Sequence, residues 1–356
     1  MKKILLITPS FNIGGIERNI QLFTNAFLNQ GLKVDVVVLH SGKVFTNYDS
    51  RASIIIPKFI RGKSLYSRFL YRLRMPIFIR NSIKKSQPDA ILSMADTFNG
   101  IVIMSSLGLD VKVFVGDVTK PDRNFPWSTK IMKNIFYPFS TGFFAQTNSA
   151  ASYYNKKFKN KLNIKVIGPI VNKVNCKLNE NREHIILNVG RLSIEKGQDR
   201  MIEIFSLVEN KENWKLYFTA DGPLKSKIEN LIEKYGLVNN VHILGYVDDL
   251  NSLYCKASIF VLPSRLEGYP NALVEAMSAK LPCVTFNSFP VDEIIENKLD
   301  GFIIEDDNLL QFKDCLEMLM ADELLRKKIG KNAQKKVENS TAESISHELL
   351  SFMESC

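Results

Sequence analysis

Short apolar runs recur along the chain, each followed by a polar or glycine-bearing turn and then by apolar positions at helical spacing. Lys3 to Thr8, Val34 to Leu39, Ala90 to Ser93, Val111 to Val115 and Gly142 to Thr147 read as strands, as do Ile185 to Val189, Leu216 to Thr219, Val241 to Leu244, Ile259 to Leu262 and Cys283 to Phe286. Helical patterns run from Ile16 to Asn29, Pro270 to Ala279, Leu309 to Met320, Leu324 to Val337 and Ala342 to Met353. Strand, loop, helix and strand in repetition build parallel sheets covered by helices, an α/β class. The 356 residues exceed one ordinary core and suit two such domains. A polar, turn-rich stretch at 168–182 separates a first domain, 1–171, from a second, 172–340, and a final helix lies in 341–356.

Charge makes the halves different. Residues 1–171 carry 25 Lys and Arg against 8 Asp and Glu, a net of +17, whereas 172–356 carry 22 against 29, a net of −7. The first half therefore suits an anionic partner. Its basic residues concentrate in 58–85, where Lys58, Arg61, Lys63, Arg68, Arg72, Arg74 and Arg80 interleave with Phe59, Tyr66, Phe69, Leu73 and Ile77, with no Asp or Glu. Such a basic amphipathic helix suits an anionic membrane surface, each basic residue near it contributing on the order of 1 kcal/mol. A solvated helix on a sheet is the plainer alternative. Nucleic acid is not expected, because no groove-reading element or aromatic platform is evident. Pro76 is expected to break or kink this helix. The later set Phe125, Trp127, Ile131, Ile135, Phe136 and Phe139, with Lys130 and Lys133, reads as a helix packed on the sheet, with a second interfacial patch as the alternative.

No run approaches the roughly 18 apolar residues a membrane span needs. Ile4 to Ile7 is a first strand rather than a signal peptide. Five cysteines, odd in number and without CxxC spacing, suit a reduced chain. The expected location is the cytoplasm, peripheral on the cytoplasmic face of the inner membrane.

The candidate chemistry centres on Ile259 to Thr285, IFVLPSRLEGYPNALVEAMSAKLPCVT. A buried strand, a turn and a helix starting at Pro270 place Glu267 in the loop and Glu275 over a turn into the helix. The amides of Asn271, Ala272 and Leu273 at the helix start suit a diphosphate, and the carboxylates suit the paired hydroxyls of ribose and sugar. Two glutamates facing water would be the bland alternative.

LPSRLEGYPNALVEAMSAKLPCV resembles the donor-site segment of family 4 retaining glycosyltransferases, over about twenty consecutive positions. NVGRLSIEKGQD resembles that family's GR-L-x3-KG segment, and FNIGGIERN its GG-x-ER loop; the latter lacks GxGxxG, so a dinucleotide site is not expected. The resemblance implies a GT-B fold, with two Rossmann-like domains facing across a cleft and 341–356 crossing back to the first. It implies that Gly15, Arg191 and Lys196 meet the donor diphosphate, Tyr246 borders the nucleobase, Glu275 takes the ribose and Glu267 the sugar. The donor would be a UDP-hexose or UDP-N-acetylhexosamine and the acceptor a polyprenyl-diphosphate-linked saccharide destined for surface polysaccharide. The family's first-domain histidine has no counterpart after the matching strand, where Asp117 stands with Asp122 and Arg123 further on. Asp117 is the candidate contact to the acceptor hydroxyl, or else a helix cap. No cofactor and no obligatory metal are expected, because Arg191, Lys196 and the helix start supply the positive charge. An epimerase of UDP-N-acetylhexosamines and a non-catalytic module binding UDP or lipid diphosphate are the rivals.

Overall fold

The computed structural model describes residues 1–11, 14–40, 48–60, 62, 64–176 and 182–356. They form two compact units, Met1–Val171 with Ser340–Cys356, and Asn172–Asn339.

In the first unit β1 (Lys3–Thr8), α1 (Gly15–Asn29), β2 (Lys33–Val38), β3 (Ser53–Ile55), α2 (Leu65–Ser86), β4 (Ala90–Ser93) and α3 (Asn99–Ser106) are followed by β5 (Lys112–Asp117), α4 (Trp127–Phe136), β6 (Gly142–Ala145), α5 (Asn148–Phe158) and β7 (Ile164–Val166). The strands are parallel in the order β3-β2-β1-β4-β5-β6-β7. Strand order reverses between β1 and β4, which opens a crevice beyond their carboxyl ends.

The second unit repeats the plan with β8 (Ile185–Val189), α6 (Gln198–Leu207), β9 (Lys215–Thr219), α7 (Lys225–Lys234), β10 (Val241–Gly245), α8 (Leu250–Lys256) and β11 (Ile259–Leu262). Then come α9 (Asn271–Ser278), β12 (Cys283–Phe286), β13 (Phe302–Ile304), α10 (Leu309–Ala321) and α11 (Glu323–Lys336), and the chain ends in α12 (Ala342–Ser355). The sheet order is β10-β9-β8-β11-β12-β13, reversing between β8 and β11.

Amphipathic faces explain the layers. α12 joins the first unit because Ile345, Leu349 and Met353 pack with Ile20, Phe23 and Phe27 of α1 in one core layer. Across the sheet, Tyr71, Met75, Ile79 and Ile83 of α2 pack with Val102 and Ile103 of α3. A fully buried aliphatic or aromatic side chain of this kind contributes about 1.5–3 kcal/mol.

Three expectations are corrected. α2 continues through Pro76 and does not end there, which corrects the expected break; the side chains buried on both sides of the proline offset its cost of about 3 kcal/mol. In α4, Lys133 turns inward and Trp127, Ile131 and Ile135 stay exposed, Trp127 at 76%, because Lys133 is drawn to a buried carboxylate. The cysteines are not all free: Cys176 and Cys255 form a disulfide, their Cα atoms 5.3 Å apart, leaving Cys283, Cys315 and Cys356 as thiols. Their separation of 79 residues leaves no local spacing to read.

Candidate active site

In the second unit the loops after β8 and β11, the strands flanking the reversal, carry the charged candidates. β8 runs into Arg191, whose side chain is exposed, and then into a short helical turn ending at Lys196. Gly197 follows with φ +70°, and a Cβ there would lie 1.9 Å from Pro263 O, so only glycine permits this approach of the two loops. The approach brings Lys196 Nζ to 2.7 Å and 2.9 Å from the two carboxylate oxygens of Glu267. Ser264 Oγ donates to the same carboxylate at 2.6 Å. The backbone N–H groups of Arg265 and Leu266 donate to Glu195 O at 2.7 and 3.2 Å, fixing the loop between the two partners.

Glu275 lies on α9, 1% exposed, and accepts from the Tyr254 hydroxyl of α8 at 3.1 Å. Asn271, Ala272 and Leu273 open the same helix. The expectation that all three amides are available fails at Leu273, whose N–H donates to Pro270 O at 3.0 Å; the first turn closes tightly on the proline. Tyr246 follows β10 at the sheet edge and is exposed. Asp249 caps α8 by accepting from Ser252 N at 3.0 Å. Among the described residues, no group of three or more His, Cys, Asp or Glu is arranged to hold a metal ion.

In the first unit Gly15 opens α1 after β1, and a Cβ on it would meet nothing within 4 Å. The loop needs no left-handed backbone there, so the turn alone does not account for this glycine; Gly14 at the cap has φ −146°.

Asp117 is corrected. It is 4% exposed and accepts from Lys133 Nζ at 2.5 Å, Tyr137 Oη at 2.6 Å, Asn99 Nδ2 at 3.1 Å and the Tyr154 hydroxyl. A carboxylate so enclosed organises the interior between β5 and α4, and it is not presented to an acceptor. The phenols of Tyr137 and Tyr154 are pushed well up, first by burial and then by the charge of Asp117. Beside it, Asp96 accepts from Val118 N at 3.1 Å and from the Thr119 hydroxyl. Burial first, then the Asp117 charge, push its carboxyl up to about 7, against the opposing pull of Lys133. The folded chain therefore keeps a proton that the unfolded chain releases above about pH 4, so Asp96 makes stability fall as pH rises from about 4 to about 7 and is neutral to pH beyond. Asp96→Asn is expected to remove that slope, on the order of 1 kcal/mol per pH unit, in melts compared between pH 5 and pH 8. An unchanged pH dependence would show that Asp96 does not hold the proton.

Of the basic set, Lys58, Arg68, Arg72, Arg74 and Arg123 are exposed, while Arg61 and Lys63 lie outside the described residues. Arg80 is corrected: its Nη1 donates to Ser105 O at 3.0 Å and Leu107 O at 2.8 Å, tying α2 to the end of α3. Sequence reasoning gave no role to Ser264 or Tyr254, the residues that hold the two glutamates. The Ser264 signal was readable, a hydroxyl three positions before Glu267; Tyr254 sits on another helix and carried none.

Two parallel sheets of this kind, each reversing beside a loop and helix start, are those of the GT-B fold. Residues 173–336 match the family of glycosyl transferases group 1, so the second unit is a domain of that family. Over 99% of the chain and 98% of the relative, it is 23% identical to the GalNAc-alpha-(1->4)-GalNAc-alpha-(1->3)-diNAcBac-PP-undecaprenol alpha-1,4-N-acetyl-D-galactosaminyltransferase of Campylobacter jejuni. It is 27% identical to the amylovoran biosynthesis glycosyltransferase AmsD of Erwinia amylovora, over 93% of each chain. Among solved structures, Anabaena HepE in complex with UDP and glucose superposes with a TM-score of 0.84 at 17% identity, covering 100% of both chains. A TarM mutant from S. aureus gives 0.84 at 16% identity over 99% of this chain and 100% of that one.

Proposed function

We propose that the protein is a retaining transferase that moves a hexose or N-acetylhexosamine from a UDP-sugar to a polyprenyl-diphosphate-linked saccharide during surface polysaccharide assembly. The observation that carries this reading is the Lys196–Glu267 pair in the loops after β8 and β11, with buried Glu275 on α9, the helix that follows. Glu275 takes the ribose hydroxyls, Glu267 the sugar hydroxyls, and Lys196 with Arg191 the diphosphate. The amides of Asn271 and Ala272 add phosphate contacts. Names of relatives support the substrates: the Campylobacter jejuni relative is named for an undecaprenyl-diphosphate-linked saccharide, and HepE was solved with UDP and glucose.

As the bond from the anomeric carbon to the diphosphate breaks, charge develops on the leaving UDP, and Lys196 and Arg191 stabilise it without a metal. The acceptor hydroxyl attacks from the same face, and the departing phosphate oxygen takes its proton. No protein nucleophile takes part. A panel of UDP-sugars with a synthetic polyprenyl-diphosphate saccharide tests the reaction.

The first unit suits the inner-membrane surface. α3 lies between α2 and α4 in one helical layer. Outward from that layer project Tyr66, Phe69, Leu73 and Ile77 of α2, and Trp127, Ile131 and Ile135 of α4, followed by Phe139. On α2 the exposed apolar stripe is centred about 145° around the helix from the buried one, so the helix carries large apolar side chains on its outer side as well as its inner one. Among the described residues, no helix is long and apolar enough to cross a membrane, so the contact proposed is interfacial. Leu73→Glu with Trp127→Glu is expected to weaken cosedimentation with phosphatidylglycerol vesicles by about tenfold or more, since each large apolar side chain withdrawn from lipid costs about 1.5–3 kcal/mol. Equal binding of the variant would remove these helices from the membrane contact.

A further inference from the structure

Arg200 of α6 is 3% exposed, and each edge of its guanidinium is engaged. Nε donates to Pro263 O at 2.7 Å and Nη2 to Ser264 O at 2.7 Å. Nη1 donates to Asp306 Oδ1 at 2.9 Å and Asp307 Oδ1 at 2.6 Å, and the Phe286 ring centroid lies 3.9 Å from Cζ. The two carbonyls belong to the first residues beyond β11, three and four positions ahead of Glu267. The Ser288 hydroxyl shares Ser264 O. Ser264, itself fully buried, then passes the fixed geometry on through its own hydroxyl, which donates to Glu267 at 2.6 Å.

We infer that Arg200 is the positioning residue for Glu267: by gripping the backbone at Pro263 and Ser264 it sets where the Glu267 carboxylate stands toward the transferred sugar, and so governs transfer rather than nucleotide affinity. This rests on the reading that Glu267 contacts the sugar. Arginine is required because its planar fork reaches two adjacent carbonyls while a third edge pairs with the carboxylates; lysine keeps the charge but cannot hold both carbonyls in that fixed geometry. The surface acids Asp306 and Asp307 keep the buried cation neutralised, and no Arg200 atom needs to touch substrate.

The test uses the full chain with four substitutions: Arg200→Lys, Ser264→Ala, both together, and Glu267→Gln. Turnover is measured with the donor that the UDP-sugar panel identifies, and UDP affinity by calorimetry. Arg200→Lys is expected to lower kcat by about 10- to 100-fold, the scale of a misplaced contact, with UDP affinity within about twofold and the melting temperature retained. Ser264→Ala is expected to lower kcat similarly. The double variant is expected to be no worse than the more impaired single one, since both act through Glu267. Unchanged kcat in folded Arg200→Lys, a parallel loss of UDP affinity, or additive losses in the double variant would overturn the inference and leave Arg200 a packing residue. Where Arg200→Lys does not fold, Ser264→Ala alone decides, and a normal kcat there overturns it. A Glu267→Gln variant of full activity would instead overturn the sugar contact itself.

Discussion

Lys196→Ala is expected to slow single-turnover transfer by about 100- to 1,000-fold, the usual consequence of losing one fixed donor to developing charge. Lys196 Nζ stands 2.7 Å and 2.9 Å from the Glu267 oxygens, held by the turn that Gly197 closes against Pro263. The ammonium therefore occupies a fixed position before donor arrives and needs little reorganisation to face the leaving diphosphate. Its removal acts twice. The departing charge loses its neighbour, and Glu267, 8% exposed, keeps Ser264 as donor but loses its cation. Lys196→Arg is expected to recover only part of the rate, because a planar fork cannot occupy the same point. A rate within threefold of the unsubstituted protein in Lys196→Ala would place the diphosphate elsewhere.

The second large effect is on donor binding. Glu275→Ala is expected to weaken UDP affinity by about 100-fold or more, since two charge-assisted hydrogen bonds to the ribose hydroxyls at about 1.5–3 kcal/mol each are lost. Tyr254 keeps a partner in Ala272 O at 3.3 Å, so the helix pair survives the substitution. Titration calorimetry with UDP separates this loss from unfolding, which a melt checks. Uridine is expected to show a similar relative loss, because Glu275 acts on the ribose and not on the phosphates. Unaltered UDP affinity would move the ribose away from α9.

How far the sequence could be read follows from where each signal sits. Buried strands such as β1 and β11 announce themselves as continuous apolar runs, and helices such as α1 and α10 by periodicity over their whole length. The short strands β3, β7 and β13 occupy three residues each, too few to show a period, and all lie at sheet edges. In the site, the order of Glu267, Glu275 and Lys196 was legible because loop and helix starts are local features. The partners that fix them, Tyr254 and Arg200, come from other elements, and their roles are tertiary facts.

Asp117 and Lys133 show the opposite error. An aspartate at the carboxyl end of a strand reads as a ligand group, and nothing in the sequence around Lys133, set among aromatic residues, marks it as that carboxylate's partner. Each satisfies the other inside the first unit, and inward rotation of Lys133 is what leaves Trp127 and its neighbours in solvent. Sixteen residues separate the pair, beyond any helical or strand period. The disulfide between Cys176 and Cys255 escaped for the same reason.

The central claim is tested most directly by mass spectrometry of a synthetic polyprenyl-diphosphate saccharide incubated with the protein and a panel of UDP-sugars in EDTA, with Glu275→Ala alongside. The expected result is a mass gain of one hexose or one N-acetylhexosamine from one donor, with the new linkage keeping the donor's anomeric configuration and the gain absent from the variant. No gain from any donor by a protein that still binds UDP would contradict the proposed acceptor and donor. Failure to bind UDP at all would contradict the donor site at β8 and β11.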